Sequence, residues 1–293
     1  MVYYTKCRYT LIGSSLLIRR SLLLVIAVVV ALLSGCSSFP DFGADLATRV
    51  QNNPDMAKQQ FSQGLDVTQG RGTTQDYQQG VELFKDAALN GSSEGAYMAG
   101  MSYLTGRGVN TRFSDAANWL DLAARKDHPG ALYQLAVLYM NGRGVNKNRL
   151  WAGYLLSRAA DLGHKQAIFD LGVVYARGLG LPQSPAAAWY WFTQAEKRGV
   201  PLATELKGRM YALSNAASRQ YASRTLAYHA GRIDRSTTLF IQLRLDELGY
   251  PSGLADGIWG LKTDHAYRRF IRQELQLSDL ELDWQNLQLI RDL

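Results

Sequence analysis

Few side chains in this sequence are placed for covalent chemistry. A cysteine thiolate is the strongest nucleophile among side chains, and the chain has two cysteines, Cys7 and Cys36. Cys36 stands directly after Ser34-Gly35, at the exit of the apolar run Ser21–Leu33, a position suited to modification of its sulfur. The four histidines, His128, His164, His229 and His265, are scattered. No His-Glu-x-x-His and no Ser-x-x-Lys occurs, and the glutamates form no paired-carboxylate motif. Acid–base, nucleophilic and metal catalysis all need such groups assembled. The sequence therefore predicts no enzyme, no metal site and no cofactor.

Lys6, Arg8, Arg19 and Arg20 precede the apolar run, with no acidic residue among them. A membrane-spanning helix takes about 20 apolar residues, and this run is shorter. A basic start followed by a short apolar stretch reads as an export signal. Leu33-Ser34-Gly35-Cys36 resembles a bacterial lipobox. That resemblance implies removal of residues 1–35 and acylation of Cys36, which becomes the first mature residue. Several acyl chains on one residue anchor durably where a single chain does not. Ser37, rather than Asp, follows the cysteine. The resemblance then implies the outer membrane, with the protein facing the periplasm. Arg19-Arg20-Ser21-Leu22 is also similar to a twin-arginine pattern, and the export route stays open. Taking the four signal cations from the net charge of +7 leaves +3, so nothing in the charge points to nucleic acid. Residues 36–56 carry Pro40, Gly43 and Pro54 without periodicity and read as a tether.

The body of the chain repeats every 36 residues, over about 59–94, 95–130, 131–166 and 167–202. Gly70-Arg71-Gly72 returns as Gly106-Arg107-Gly108, Gly142-Arg143-Gly144 and Gly178-Leu179-Gly180. Tyr103, Tyr139 and Tyr175 form one column, and Leu83, Trp119, Leu155 and Trp191 another. Each copy divides into two helical patterns. The first ends at a glycine able to take a left-handed cap, and Ser184-Pro185 is a helix start. The Gly-Arg-Gly triplets follow helices rather than strands and are read as turns, not phosphate loops. One helical pair cannot bury its own apolar faces, so the copies must stack.

These columns resemble the Sel-1-like repeat, a relative of the tetratricopeptide repeat. The resemblance covers residues 57–202 and implies an all-α, right-handed solenoid of helix-turn-helix units that docks other proteins on its concave face. Tyr97, Tyr133 and Phe169 recur on the first helices, with Met101, Leu104, Val137 and Met140 on the same face. They fit either a partner groove or packing between copies. Residues 203–232 read as capping helices, with Arg209, Arg219, Arg224 and Arg232 keeping that end polar.

A different pattern occupies 233–293. Asp234 or Ser236 can cap a helix through Gln242–Leu248, a glycine-rich loop follows, and Lys262–Phe270 and the stretch after Ser278 suggest two more helices. Gln242, Leu245, Leu248, Gly249, Tyr250, Gly253, Asp256, Gly257, Trp259, Gly260, Thr263, Ala266 and Phe270 resemble the three-helix peptidoglycan-binding domain of cell-wall hydrolases. Ile271 departs from that pattern, where glutamine is usual. Planar Tyr250 and Trp259 could stack on a sugar, and Asp256, Thr263 and Arg268 could hydrogen-bond amides, hydroxyls or carboxylates. Trp259 and Phe270 equally suit the core of a small domain, and Asp256 its turn.

The combined expectation is an outer-membrane lipoprotein that grips peptidoglycan and scaffolds envelope proteins. Its anchor and wall-binding head would lie at opposite tips of a stiff helical rod. The alternative is an assembly scaffold for a secretion or exopolysaccharide-export machine, without real peptidoglycan affinity.

Overall fold

The computed structural model describes residues 46–226, 234–277 and 280–293. The signal, Cys36, Arg232, His229 and Ser278 lie outside them. Residues 46–293 form one compact unit, helical throughout among the described residues.

The repeat pairs are α1 (Pro54–Gln69) with α2 (Tyr77–Leu89), α3 (Ser93–Thr105) with α4 (Phe113–Ala124), α5 (Pro129–Asn141) with α6 (Arg149–Asp161), and α7 (Lys165–Arg177) with α8 (Pro185–Lys197). Capping side chains mark where they start. Asn53, Asp76, Ser92, Asn148 and Ser184 each accept a hydrogen bond from the backbone N–H three residues on. Proline fills the first position of α1, α5 and α8, where its missing N–H costs nothing. The first helices stop at glycine in the left-handed region, as at Gly142 with φ of 69°.

Between pairs the core is built from small residues. Ala87, Ala123, Ala159 and Ala195 are fully buried at one repeat position. Their methyl groups let helices approach closely, while Phe84, Leu120, Leu155 and Phe192 fill the remaining space. Two further helices, α9 (Pro201–Ala212) and α10 (Ala216–Leu226), close the array, and α10 packs on α8.

The tether is shorter than its composition suggests. The Gln51 and Asn53 amides donate to the carbonyls of Leu89 and Asn90, at 2.7 and 3.0 Å, and Leu46 joins the core. Residues 46–53 thus run along the end of α2, because its last carbonyls need donors.

The last helices, α11 (Arg235–Glu247), α12 (Leu261–Gln273) and α13 (Trp284–Asp292), correct the rod picture. They do not extend the stack; they fold back on its middle, and α11 packs along α6. Trp151 and Tyr154 of α6 meet Phe240 of α11 at ring separations of 5.1 and 5.3 Å, and Trp284 of α13 meets Trp151 at 5.6 Å. Polar ties flank these rings. Asp121 of α4 accepts from the Trp284 indole at 3.2 Å and from Gln288 at 2.9 Å, and pairs with Arg125 at 2.9 Å. Burial pushes the Asp121 carboxyl upward, and the Arg125 guanidinium opposes that. Arg291 donates to the Tyr139 hydroxyl at 2.9 Å, and Arg235, almost wholly buried, reaches Asp161 at 3.5 Å.

Candidate functional site

Two surfaces carry the residues singled out from the sequence. The first is the loop and helix of the C-terminal segment, where a hydrogen-bonded knot forms around Gln242, in the middle of α11. Its amide nitrogen donates to the Ile258 carbonyl at 3.0 Å, to Thr263 Oγ1 at 3.1 Å and to Asp256 Oδ1 at 3.3 Å. Its oxygen accepts from the Gly257 N–H at 2.8 Å. Both ends of its amide go into fixing the loop. Gln242 is the organising residue, and only its place in the motif marked it in the sequence.

That knot sorts the five expected ligand residues. Thr263 is 2% exposed, its hydroxyl held between Gln242 and the Ser252 carbonyl. Asp256 accepts from the Ile258 N–H at 2.9 Å and from the Tyr221 hydroxyl of α10 at 3.3 Å. Tyr250 is 7% exposed, set edge-on against Phe270, with its hydroxyl donating to Glu274 at 2.6 Å. Tyr250 and Thr263 face the segment's own framework, and Asp256 ties its loop to α10. Trp259 is half-buried against Tyr267 at 5.4 Å, and Arg268 is exposed beside Asp264 at 2.8 Å. Of the five, Arg268 is the most exposed, and Trp259 and Asp256 are half-buried. Ile271 is fully buried.

The second surface is the aromatic column of the first helices. Tyr97 stacks on His128 with ring centres 4.4 Å apart, and Tyr133 on His164 at 4.6 Å. The Tyr133 hydroxyl donates to Asp170 at 3.0 Å, and Phe169 leans on Phe192 at 5.6 Å. Each ring therefore joins helices through one side and stays half-exposed on the other. The packing reading of the column is thus what these contacts describe. Phe61, against Phe84 at 5.8 Å, is its missed first member. The 36-residue step back from Tyr97 finds it, although the first copy diverges at Gln59 and Val67.

His128 and His164 are helix caps. Their Nδ1 atoms accept from the N–H groups of Ala131 and Ala167, at 3.1 and 3.2 Å. Burial lowers both imidazoles below their usual range, with Glu94 and Asp170 pulling the other way. A protonated Nδ1 cannot accept, so acid removes the cap. Because the folded values are lowered, this stability is whole above about pH 6.5 and is lost as pH falls through them. Ser92 caps the equivalent position of the second copy without titrating. Replacing both histidines by serine is therefore expected to flatten the loss of stability between about pH 7 and 5, worth about 1 kcal/mol per cap. Urea midpoints against pH measure it, and an unchanged acid slope refutes it.

Among the described residues no group of His, Cys, Asp or Glu could hold a metal ion, and no helix is long and apolar enough to cross a membrane.

Comparison with known proteins places this geometry. The Sel1 repeat model matches residues 68–92, 93–128, 129–164 and 165–200. Its boundaries fall two residues ahead of those drawn from the period, and the first match is partial. A solved Sel1 repeat protein from Oxalobacter formigenes aligns with a TM-score of 0.52 and 24% identity, over 76% of this chain and 89% of its own. A protective antigen present in uropathogenic Escherichia coli strains, described as displaying an SLR fold, aligns with a TM-score of 0.52 and 20% identity. That match covers 80% of this chain and 53%, about half, of the antigen. At these identities both show the fold alone. No curated protein matches the chain. Caps, turns, columns and family model agree: residues 68–200 are an array of four Sel1 repeats.

Proposed function

We propose that this protein is a non-catalytic outer-membrane lipoprotein, anchored through Cys36 and facing the periplasm, that binds peptidoglycan and scaffolds envelope proteins on its repeats. Three features support the reading. Leu33-Ser34-Gly35-Cys36 follows a basic and then apolar segment, as lipidation requires. Sel1 repeats mediate protein–protein interaction, and the column Tyr97, Tyr133 and Phe169 is half-exposed along this array. The single observation carrying the wall-binding part is that Trp259 and Arg268 both engage Asp264 of α12, Arg268 at 2.8 Å, which sets the indole and the guanidinium beside one carboxylate. A flat indole beside a guanidinium suits a sugar face next to a stem-peptide carboxylate.

The test is sedimentation of the lipid-free protein, beginning at Ser37, with purified murein sacculi. The wild type should pellet. The variant Trp259→Ala with Arg268→Ala, whose changes leave the Gln242 knot intact, should bind at least about tenfold more weakly. Equal pelleting of both, or of neither, refutes the assignment of peptidoglycan to this surface.

One observation favours the second reading, an assembly scaffold of a secretion or exopolysaccharide-export machine without peptidoglycan affinity. Tyr250 and Thr263 are engaged inside the C-terminal segment, Asp256 is held by Ile258 and by Tyr221 of α10, and the C-terminal helices are committed to the repeats. A defined envelope complex captured by the full chain, with no sacculus binding, selects it.

A further inference from the structure

We infer that the seam between the repeats and the C-terminal helices holds a site for a multiply charged, phosphate-class anion. A cleft of about 320 Å³ opens there, and Lys147, Arg149, Arg244 and Arg291 all line it. Glu247 is the one acid among its lining residues and Asp292 pairs with Arg291 behind them at 2.6 Å, so four cations and two carboxylates leave a local charge of +2. Like charges gathered at one mouth repel, and an anion among them converts that repulsion into attraction.

Departures from the repeat make the site. Where the third copy has Arg149, the first and second have Tyr77 and Phe113. Those rings are covered by the arginine of the next Gly-Arg-Gly turn, Arg107 at 4.9 Å and Arg143 at 4.0 Å. The next turn after Arg149 carries Leu179 instead of arginine. A cation thus replaces the ring, and its guanidinium has no ion pair or side-chain hydrogen bond among the described residues. Lys147 stands where the first and fourth copies have Gln75 and Gln183, which donate to carbonyls of their own first helices at 2.8 and 3.0 Å. Lys147 likewise is exposed and unpaired among the described residues. The two cations occur together in this copy alone, and this copy supplies the rings, Trp151 and Tyr154, on which the C-terminal helices pack.

The opposite wall belongs to those helices. Arg244 of α11 uses Nε on the Ile290 carbonyl at 3.1 Å and Nη1 on Glu247 at 2.8 Å, which leaves Nη2. Arg291 of α13 is fixed by Tyr139 and Asp292 and supplies field more than donors. Ammonium and guanidinium groups from two sides suit the several oxygens of a phosphate group. Because each wall contributes cations, the anion stabilises the docked arrangement by mass action.

The test uses the full chain in detergent, with pyrophosphate as the probe and sodium chloride at matched ionic strength as the control. Pyrophosphate should raise the melting temperature saturably, and calorimetric titration should give one site. The variant Lys147→Ala with Arg149→Ala removes two exposed, unpaired side chains. It should melt no lower than the wild type without anion and bind pyrophosphate at least about tenfold more weakly. A rise no larger than that from chloride, or one kept by the double variant, overturns the site. Citrate binding as tightly as pyrophosphate overturns its phosphate class.

Discussion

Replacing Trp151 by alanine is expected to cost about 3–5 kcal/mol and to free the C-terminal helices from the repeats. Trp151 is wholly buried at the centre of the seam. Its ring lies 4.7 Å from Tyr154, 5.1 Å from Phe240 and 5.6 Å from Trp284, with the Arg291 guanidinium at 5.3 Å. Truncation leaves a cavity lined by three rings that cannot close on it. The seam is nevertheless poorly satisfied. The indole nitrogens of Trp151 and Trp191, the Ser157 hydroxyl, and Nε and Nη1 of Arg235 are buried without partners among the described residues. Each such group carries a desolvation cost of about 1–3 kcal/mol. The apolar contact offsets these costs, so losing its central ring separates the parts. Trp151→Phe keeps a ring and removes one orphan donor, and should cost less than about 1.5 kcal/mol. Denaturant unfolding followed by tryptophan fluorescence distinguishes the two. The alanine variant should unfold in two steps, the phenylalanine variant in one. A single step at near-wild-type midpoint in the alanine variant would show that the seam does not hold the molecule together.

The seam is also where reading the sequence stopped. Columns recurring every 36 residues expose the repeats, because a repeated environment leaves a repeated residue. Tyr103, Tyr139 and Tyr175 were legible as a column for that reason. Their cations were not. Lys85 lies 5.4 Å over Tyr103 and Arg112 lies 5.6 Å over it, both from the array, whereas Tyr139 takes Arg291 from far along the chain. Nothing periodic marks Arg291, and pairs so distant in sequence leave no spacing to read. The same holds for Asp121 with Trp284 and Gln288. Nothing in the repeat columns marks Asp121, yet this buried aspartate of a second helix anchors a helix more than a hundred and sixty residues away.

The three C-terminal helices were legible in the sequence, and the direction of the side chains around their loop was not. Gly253 and Gly257, both at positive φ, and the Asp234 cap are backbone requirements that sequence states directly. Whether a conspicuous polar residue faces a ligand or its own loop depends on side-chain direction. Thr263 and Asp256 turn inward because Gln242 needs acceptors there. Spacing alone cannot reveal that choice.

The second large effect is expected at Gly144, and it tests how one copy sits on the next. Gly144 has φ of 73°, and a Cβ there would run into the Phe113 carbonyl group and the Ser114 amide nitrogen, at the start of α4 in the preceding copy. Gly108 meets Tyr77 and Gly180 meets Arg149 in the same manner. The second glycine of each triplet therefore seats its turn on the previous second helix, backbone against backbone. No rotamer change relieves such a contact. Gly72 has a similar φ, 68°, but nothing within 4 Å, because no copy precedes it. Gly72→Ala should then cost only the left-handed strain, about 1 kcal/mol. Gly144→Ala adds displacement of α4, for a total of roughly 2–4 kcal/mol. In a linear array, weakening one interface separates the copies on either side. The Gly144 variant should lose cooperativity in urea as well as midpoint, and the Gly72 variant only midpoint. Equal losses at the two positions would mean that strain in the turn, rather than contact between copies, sets the repeat's demand for glycine.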